Sequence, residues 1–140
     1  MGYLIAYRHT GADPAYLDKL LPAVRDAFSS GGVDTYCTYF DEASFQQEHL
    51  TPEKIMEHAF TKIEELGGLF VLLDGEEKSD GQIMEVGYCI AKDIPFIVAK
   101  RRSVANTYIH RMTNRSFEYD SLEELASGIK TVCSEIGSTS

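Results

Sequence analysis

Short apolar runs alternate with amphipathic stretches along this chain. Residues 3–7 (YLIAY) are apolar throughout and lead into RHTGADP, which predicts a buried strand and a turn. Pro14 opens a helix with Asp13 as its cap, since proline at the first helical position lacks only an N–H that would go unpaired. Leu17, Leu20, Leu21, Val24, Ala27 and Phe28 follow helical spacing, and SSGG at 29–32 ends the pattern. Residues 33–40 (VDTYCTYF) predict a second strand, and 41–50 a polar loop. Thr51-Pro52 opens a second helix with Ile55, Ala59, Ile63 and Leu66 on one face, stopped by Gly67-Gly68. Residues 69–73 (LFVLL) predict a strand buried on both faces, with Asp74 at its end. Ser79-x-x-Gln82 has the form of a capping box, in which the glutamine side chain reaches back to the cap, and its helix runs to about Lys92. Residues 94–99 (IPFIVA) predict a fourth strand, 104–112 a short helix and 116–119 a fifth strand. Ser121 caps a last helix that ends near Ile136, before a frayed GSTS tail.

Strand and helix alternate about five times, and the inner strands are continuous apolar runs. That pattern predicts an α/β fold: a flavodoxin-like or Rossmann-like three-layer sandwich around a five-stranded parallel sheet, one domain over 1–136. Ligands of such sheets bind beyond the carboxyl ends of the strands, at the topological switch point. The rim to examine is therefore 7–13, 74–81 and 100–107.

Composition narrows the function. The formal net charge is −9, which argues against nucleic-acid and membrane partners but leaves room for a small anion in a locally positive pocket. Three cysteines without C-x-x-C spacing, and a start (MGYLIAY) with no basic flank, lead us to expect a reduced, cytoplasmic protein. No apolar run approaches 18 residues, so no membrane span is expected. His9, His49, His58 and His110 lack ligand spacing, and Walker, G-x-G-x-x-G and G-x-S-x-G motifs are absent. Neither a metal nor a cofactor is expected.

Several residues could carry chemistry. Glu85 stands among Ile83, Met84, Val86, Tyr88 and Cys89. Either it pairs with an arginine or reaches water at the helix edge, or it faces a ligand near the helix N-terminus, approached over Gly81 four residues back. Tyr3 and Tyr7 share one face of the first strand, where a phenol either packs in the core or bonds a carboxylate. Arg8 could grip an anion, or pair with Asp13 or Asp41. Asp74 and Ser79 suit sugar hydroxyls, and equally suit turns and caps. Lys100-Arg101-Arg102 ends strand four, as a solvated face or an anion contact.

The frame Y3-L-I-A6, LLD74, S79-x-G81-x-x-x-E85-x-G87-x-x-x-A91 and P95-F-I-V resembles the nucleoside 2-deoxyribosyltransferase family. It is also similar to the related 2'-deoxynucleoside 5'-monophosphate N-hydrolases, from Tyr3 to about Leu125. The resemblance implies that Glu85 is the nucleophile at C1' of the sugar, oriented by Tyr3. It implies a phosphate contact at Ser79, as in the hydrolases, and places Arg8 in the corresponding first turn. Asn106 or Thr107 falls near a residue that closes the 5' end of a neighbouring subunit's pocket, so a homodimer or larger homo-oligomer is implied. The family commonly places an Asp in the helix before strand three; here the matching His58-Ala59-Phe60-Thr61 has no carboxylate, which leaves Asp74 or Glu57 as substitutes. The expected function is N-glycosidic cleavage of a nucleoside or nucleoside 5'-monophosphate, by hydrolysis or base exchange. The alternative is a non-catalytic module that binds a nucleotide on the same fold.

Overall fold

In the computed structural model the chain is described at residues 2–8, 12–41 and 50–139. His9, Thr10, Gly11, His49 and most of the predicted 41–50 loop lie outside the described residues. Five strands, β1 (Gly2–Ala6), β2 (Asp34–Tyr36), β3 (Leu69–Leu73), β4 (Phe96–Arg101) and β5 (Ser116–Tyr119), form one all-parallel sheet in the order β2-β1-β3-β4-β5. Every residue of β1 and β3 is buried, because helices cover both faces. α1 (Pro14–Ser30) and α4 (Leu122–Thr139) pack on one face; α2 (Pro52–Leu66) and α3 (Asp80–Lys92) pack on the other. This is the three-layer α/β sandwich that the sequence predicts. No described helix is long and apolar enough to cross a membrane.

Alternation along β1 sorts its side chains between two cores. Tyr3 and Ile5 join Phe28, Phe70 and Ile129 on the α1/α4 face. Leu4 and Ala6 join Ile63, Val71 and Val86 on the α2/α3 face. The switch point lies between β1 and β3, since the chain moves from β1 to its neighbour β2 and then crosses to β3 on the other side.

Some boundaries differ from expectation, each for a local reason. β2 has three residues rather than eight, because the chain turns into a 3₁₀ segment (Thr38–Asp41) that brings Tyr39 against Tyr7. β4 begins and ends two residues later than predicted. The N–H of Ile94 bonds the Cys89 carbonyl at the end of α3, and Pro95 has no N–H to give. The expected 104–112 helix is a single 3₁₀ turn, Ile109–Met112. α4 continues to Thr139, beyond the predicted end at Ile136.

Two glycines test this packing in opposite directions. A Cβ at Gly68 would meet the Tyr3 ring at 2.5 Å, and that ring is itself stacked on Phe28 (5.7 Å, 29°). At Gly87, inside α3, a Cβ meets nothing within 4 Å. Gly68→Ala is expected to destabilise the fold by about 1–3 kcal/mol, and Gly87→Ala to stabilise it by roughly 0.5–1 kcal/mol. Urea denaturation of the pair checks this; equal effects, or a reversed order, contradict it.

Candidate functional site

The rim after β4 is built by a buried lysine. Lys100 is 7 % exposed, and its ammonium donates to the carbonyls of Arg101, Arg102 and Val104, with Glu118 at 3.5 Å. An ammonium is tolerated out of water only with such partners, so the tight turn at 101–104 and the lysine require each other. Arg101 lies over the rings of Tyr16 and Tyr119 (5.8 and 5.3 Å) and donates to the Tyr16 hydroxyl and the Asp120 carbonyl. Arg102 pairs with Asp120 and Glu124. The basic cluster is thus divided: Lys100 and Arg101 are used within the fold, while Arg102 remains on a solvated face.

The loop after β3 is tied to this rim. Arg8 approaches Asp74 at 3.6 Å and Glu77 at 3.4 Å. Glu76 accepts the N–H groups of Ala105 (2.7 Å) and Asn106 (3.1 Å), and Lys78 donates to the Asn106 carbonyl (2.9 Å). Thr107 caps the 3₁₀ turn by accepting the Ile109 N–H at 3.2 Å. Between the two loops is a cavity of about 30 Å³ whose lining includes Asp74, Ser79, Gln82, Asn106 and Thr107, room for about one water. Four of the expected substrate-binding residues therefore meet at one place, with Arg8 held against one of them. Asn106 and Thr107 line their own chain's cavity.

Gln82 carries a role that the capping-box reading misses. Ser79 does cap α3, its hydroxyl accepting the Gln82 N–H at 3.3 Å. The Gln82 side chain, however, turns to the sheet rather than back to Ser79. Its Nε2 donates to the carbonyls of Ala6 (2.9 Å) and Leu72 (2.6 Å). Gln82 is 4 % exposed and bridges the ends of β1 and β3 at the switch point. Its signal in the sequence is an amide on the apolar face of a helix: once buried it must find acceptors, and strand ends are where free carbonyls lie.

Glu85 follows one turn later, on the seam between α3 and α2. Gly81, Glu85, Tyr88 and Lys92 form one stripe by helical spacing. Along it Met56 lies beside Gly81, Tyr88 stacks on Phe60 (4.5 Å, 14°), and Lys92 reaches Glu64 at 4.0 Å. Met56 thus flanks the expected approach over Gly81. Glu85 is 8 % exposed, has no hydrogen-bond or ion-pair partner among the described residues, and does not line the rim cavity. Burial alone pushes its carboxyl up to about 8. Burial, and then the Glu85 charge, push the neighbouring Cys89 thiol up to about 12, which leaves it unreactive.

The structure separates Tyr3 from Glu85, against the expected pairing. Tyr3 points to the α1/α4 face beside Phe28, while Glu85 sits on the α2/α3 face. Strand alternation enforces this, since only the even-numbered residues of β1 face α3. Tyr7 packs edge-on to Tyr39 at 5.9 Å, in the Tyr3 core. The two carboxylates considered as substitutes at 58–61 both have other partners. Asp74 is held by Arg8, and Glu57 is exposed and 3.9 Å from Lys54. His58 instead shares a 2.8 Å hydrogen bond with the Tyr36 hydroxyl. Among the described residues no three His, Cys, Asp or Glu side chains converge as metal ligands.

The state of Glu85 has a measurable consequence. An unfolded glutamate loses its proton near 4.5, and the folded one near 8. Between these values the folded state binds the extra proton, so stability is fully present below 4.5 and lost as pH rises through 8. From pH 5 to pH 9 this loss is on the order of 4 kcal/mol. Glu85→Gln does not titrate, and its urea stability should fall less by that amount over the same range. Parallel pH profiles would show that Glu85 ionises as freely folded as unfolded.

No protein-family model matches the chain, and no curated protein matches it in sequence. Solved structures do match. A conserved protein from Enterococcus faecalis V583 aligns at TM-score 0.59 and 19 % identity, over 94 % of this chain and 99 % of that one. The CMP N-glycosidase BcmB of Clostridium botulinum aligns at TM-score 0.68 and 13 % identity, over 92 % and 98 %. The sugar isomerase domain of an RpiR transcription factor from Sphaerobacter thermophilus aligns at TM-score 0.60 and 9 % identity, over 99 % and 70 %. The chain thus shares its fold with these three proteins, and a shared fold does not by itself assign an activity.

Proposed function

We propose that this protein cleaves the N-glycosidic bond of a nucleoside or nucleoside 5'-monophosphate at Glu85. The observation that carries the reading is a buried carboxyl with no partner among the described residues, one helical turn beyond the switch-point residue Gln82. Such a group lowers stability when ionised, and a chain keeps it where a ligand supplies the missing partner. The fold likeness to a CMP N-glycosidase supports the same reading.

The chemistry fits an acid held up to about 8. At pH 7 roughly one site in ten carries the carboxylate. Sugar hydroxyls that donate to it would restore the charge. Cleavage then develops positive charge at C1', and a desolvated carboxylate stabilises that charge far better than it stabilises the neutral substrate. The Glu85 oxygen attacks C1'. The C1'–N bond breaks, and the base departs with its electron pair and takes up a proton. Water then attacks C1', gives its proton to solvent, and frees the carboxylate; a second base in place of water gives exchange instead. Ser79, Asn106 and Thr107 lie where the 5' end of such a substrate would rest, beside the α3 N-terminus.

A homo-oligomer belongs to this reading. α3 exposes Ile83, Met84 and Ile90, and the following segment exposes Tyr108 and Met112, all 45–64 % exposed. Ile83 and Ile109 also line the cavity, so this apolar surface adjoins the site and suits a second copy of the chain.

The second reading is a nucleotide-binding module without turnover. It is favoured by the separation of Glu85 from the rim cavity and by the missing carboxylate at 58–61. A panel of ribo- and deoxynucleosides and their 5'-monophosphates, with and without acceptor base, separates the two by chromatography. We expect free base without acceptor if water is used, or a new nucleoside only with acceptor if bases exchange. Glu85→Gln should lower either rate on the order of a thousandfold. Stabilisation by a nucleotide with no product leaves only the binding module, and full activity in Glu85→Gln excludes Glu85.

A further inference from the structure

The loops after β3 and β4 are joined through one carboxylate. The two oxygens of Glu76 take separate N–H groups, Ala105 at 2.7 Å and Asn106 at 3.1 Å. Successive backbone N–H groups aimed at one point make an anion-binding concavity. Two further sources of positive potential adjoin it. The Lys78 ammonium sits on the Asn106 carbonyl at 2.9 Å, and α3 begins at Asp80, directly after its cap Ser79. Glu76, Lys78, Ser79, Asn106 and Thr107 all line the same cavity. Of the neighbouring acids, Asp74 and Glu77 share the single Arg8, and Asp80 stands in the first turn of α3, where it faces the helix dipole. In a chain of net charge −9, the groups that attract an anion meet here, and a side chain of the protein itself occupies them.

That occupant is replaceable. Glu76 and Lys78 are both exposed, so their bonds compete with water and are individually weak. A phosphate presents three acceptor oxygens and nearly twice the charge, which suits paired N–H groups and an ammonium better than one carboxylate does.

We propose that the Ala105 and Asn106 N–H groups, with Lys78, bind a phosphate-type dianion, and that Glu76 is the internal occupant of this site in the unliganded chain. The exchange makes and breaks only hydrogen bonds. Phosphate oxygens take the two N–H groups, and the Glu76 carboxylate moves to water. It also unclasps the 74–79 loop from the 102–107 loop, enlarging a cavity that has room for about one water. The inference rests on the nucleotide reading for its biological ligand, the 5'-phosphate, and assigns recognition of that group to the second loop as well as to Ser79. It makes Glu76 a selectivity element: a neutral 5' end leaves the clasp closed, and a phosphate opens it.

Inorganic phosphate is the probe, titrated into the full chain at constant ionic strength and followed by amide ¹H–¹⁵N spectra. In Glu76→Ala the Ala105 and Asn106 resonances should shift saturably, with phosphate affinity at least about tenfold above that of the unaltered chain. Glu76→Gln, which keeps the shape and one accepting oxygen, should gain less. Adding Lys78→Met to either variant should reverse the gain. A dispersed spectrum verifies the fold, and if the alanine variant does not fold, the glutamine variant carries the test with the same expected direction. Equal affinity with and without the Glu76 carboxylate overturns the proposal, as do shifts confined to amides elsewhere. Inorganic phosphate has no glycosidic bond, so the result is independent of turnover. Binding here in a chain that releases no base refutes cleavage alone, and cleavage without this response refutes the anion site alone.

Discussion

A parallel sheet ends in carbonyl groups that point out of its carboxyl edge. At the switch point between β1 and β3, Gln82 donates to two of them, those of Ala6 and Leu72. This shared amide pins α3 against the sheet. A buried amide must be satisfied, so the rotation of α3 about its own axis follows from the two bonds. That rotation directs Glu85 into the seam with α2, turns Ile83, Met84 and Ile90 outward, and places Ser79 at the rim. Replacing Gln82 with an apolar residue would orphan both carbonyls and release the helix that carries the site.

The parallel sheet was legible from simple features. The runs YLIAY, LFVLL and IPFIVA lack alternation because helices cover both faces, and the caps Asp13, Thr51 and Ser79 stand where the helices begin. Contacts between elements distant in sequence were less legible. Sequence spacing shows that Tyr3 and Tyr7 share a face, but not which helices cover it; α1 and α4 do, and that removes Tyr3 from Glu85. Lys100 read as part of a basic cluster, because nothing local says that the 101–104 turn folds back onto its ammonium. Glu76 gave no signal at all, since its partners lie about thirty residues later.

The two parts of the site differ in character. The rim is polar and clasped: Arg8 lies against Asp74 and Glu77, Glu76 takes two amides, and Lys78 donates to a carbonyl. The seam below it holds one carboxyl that nothing described answers. Burial raises its proton affinity, and the same burial would strengthen any interaction it makes with developing positive charge. The account therefore joins the stability of the protein to its chemistry at one atom group. The residue that makes the fold less stable at high pH is the residue proposed to act at C1'.

That central claim, a Glu85 held protonated by burial, is open to direct measurement. The side-chain carboxyl carbon of Glu85, assigned by comparison with Glu85→Gln, can be followed by ¹³C nuclear magnetic resonance from pH 4 to pH 10. The account predicts a midpoint near 8. A midpoint near 4.5, the ordinary value for this side chain, would contradict it: Glu85 would then be solvated or paired in solution, and the argument for its role at C1' would fall.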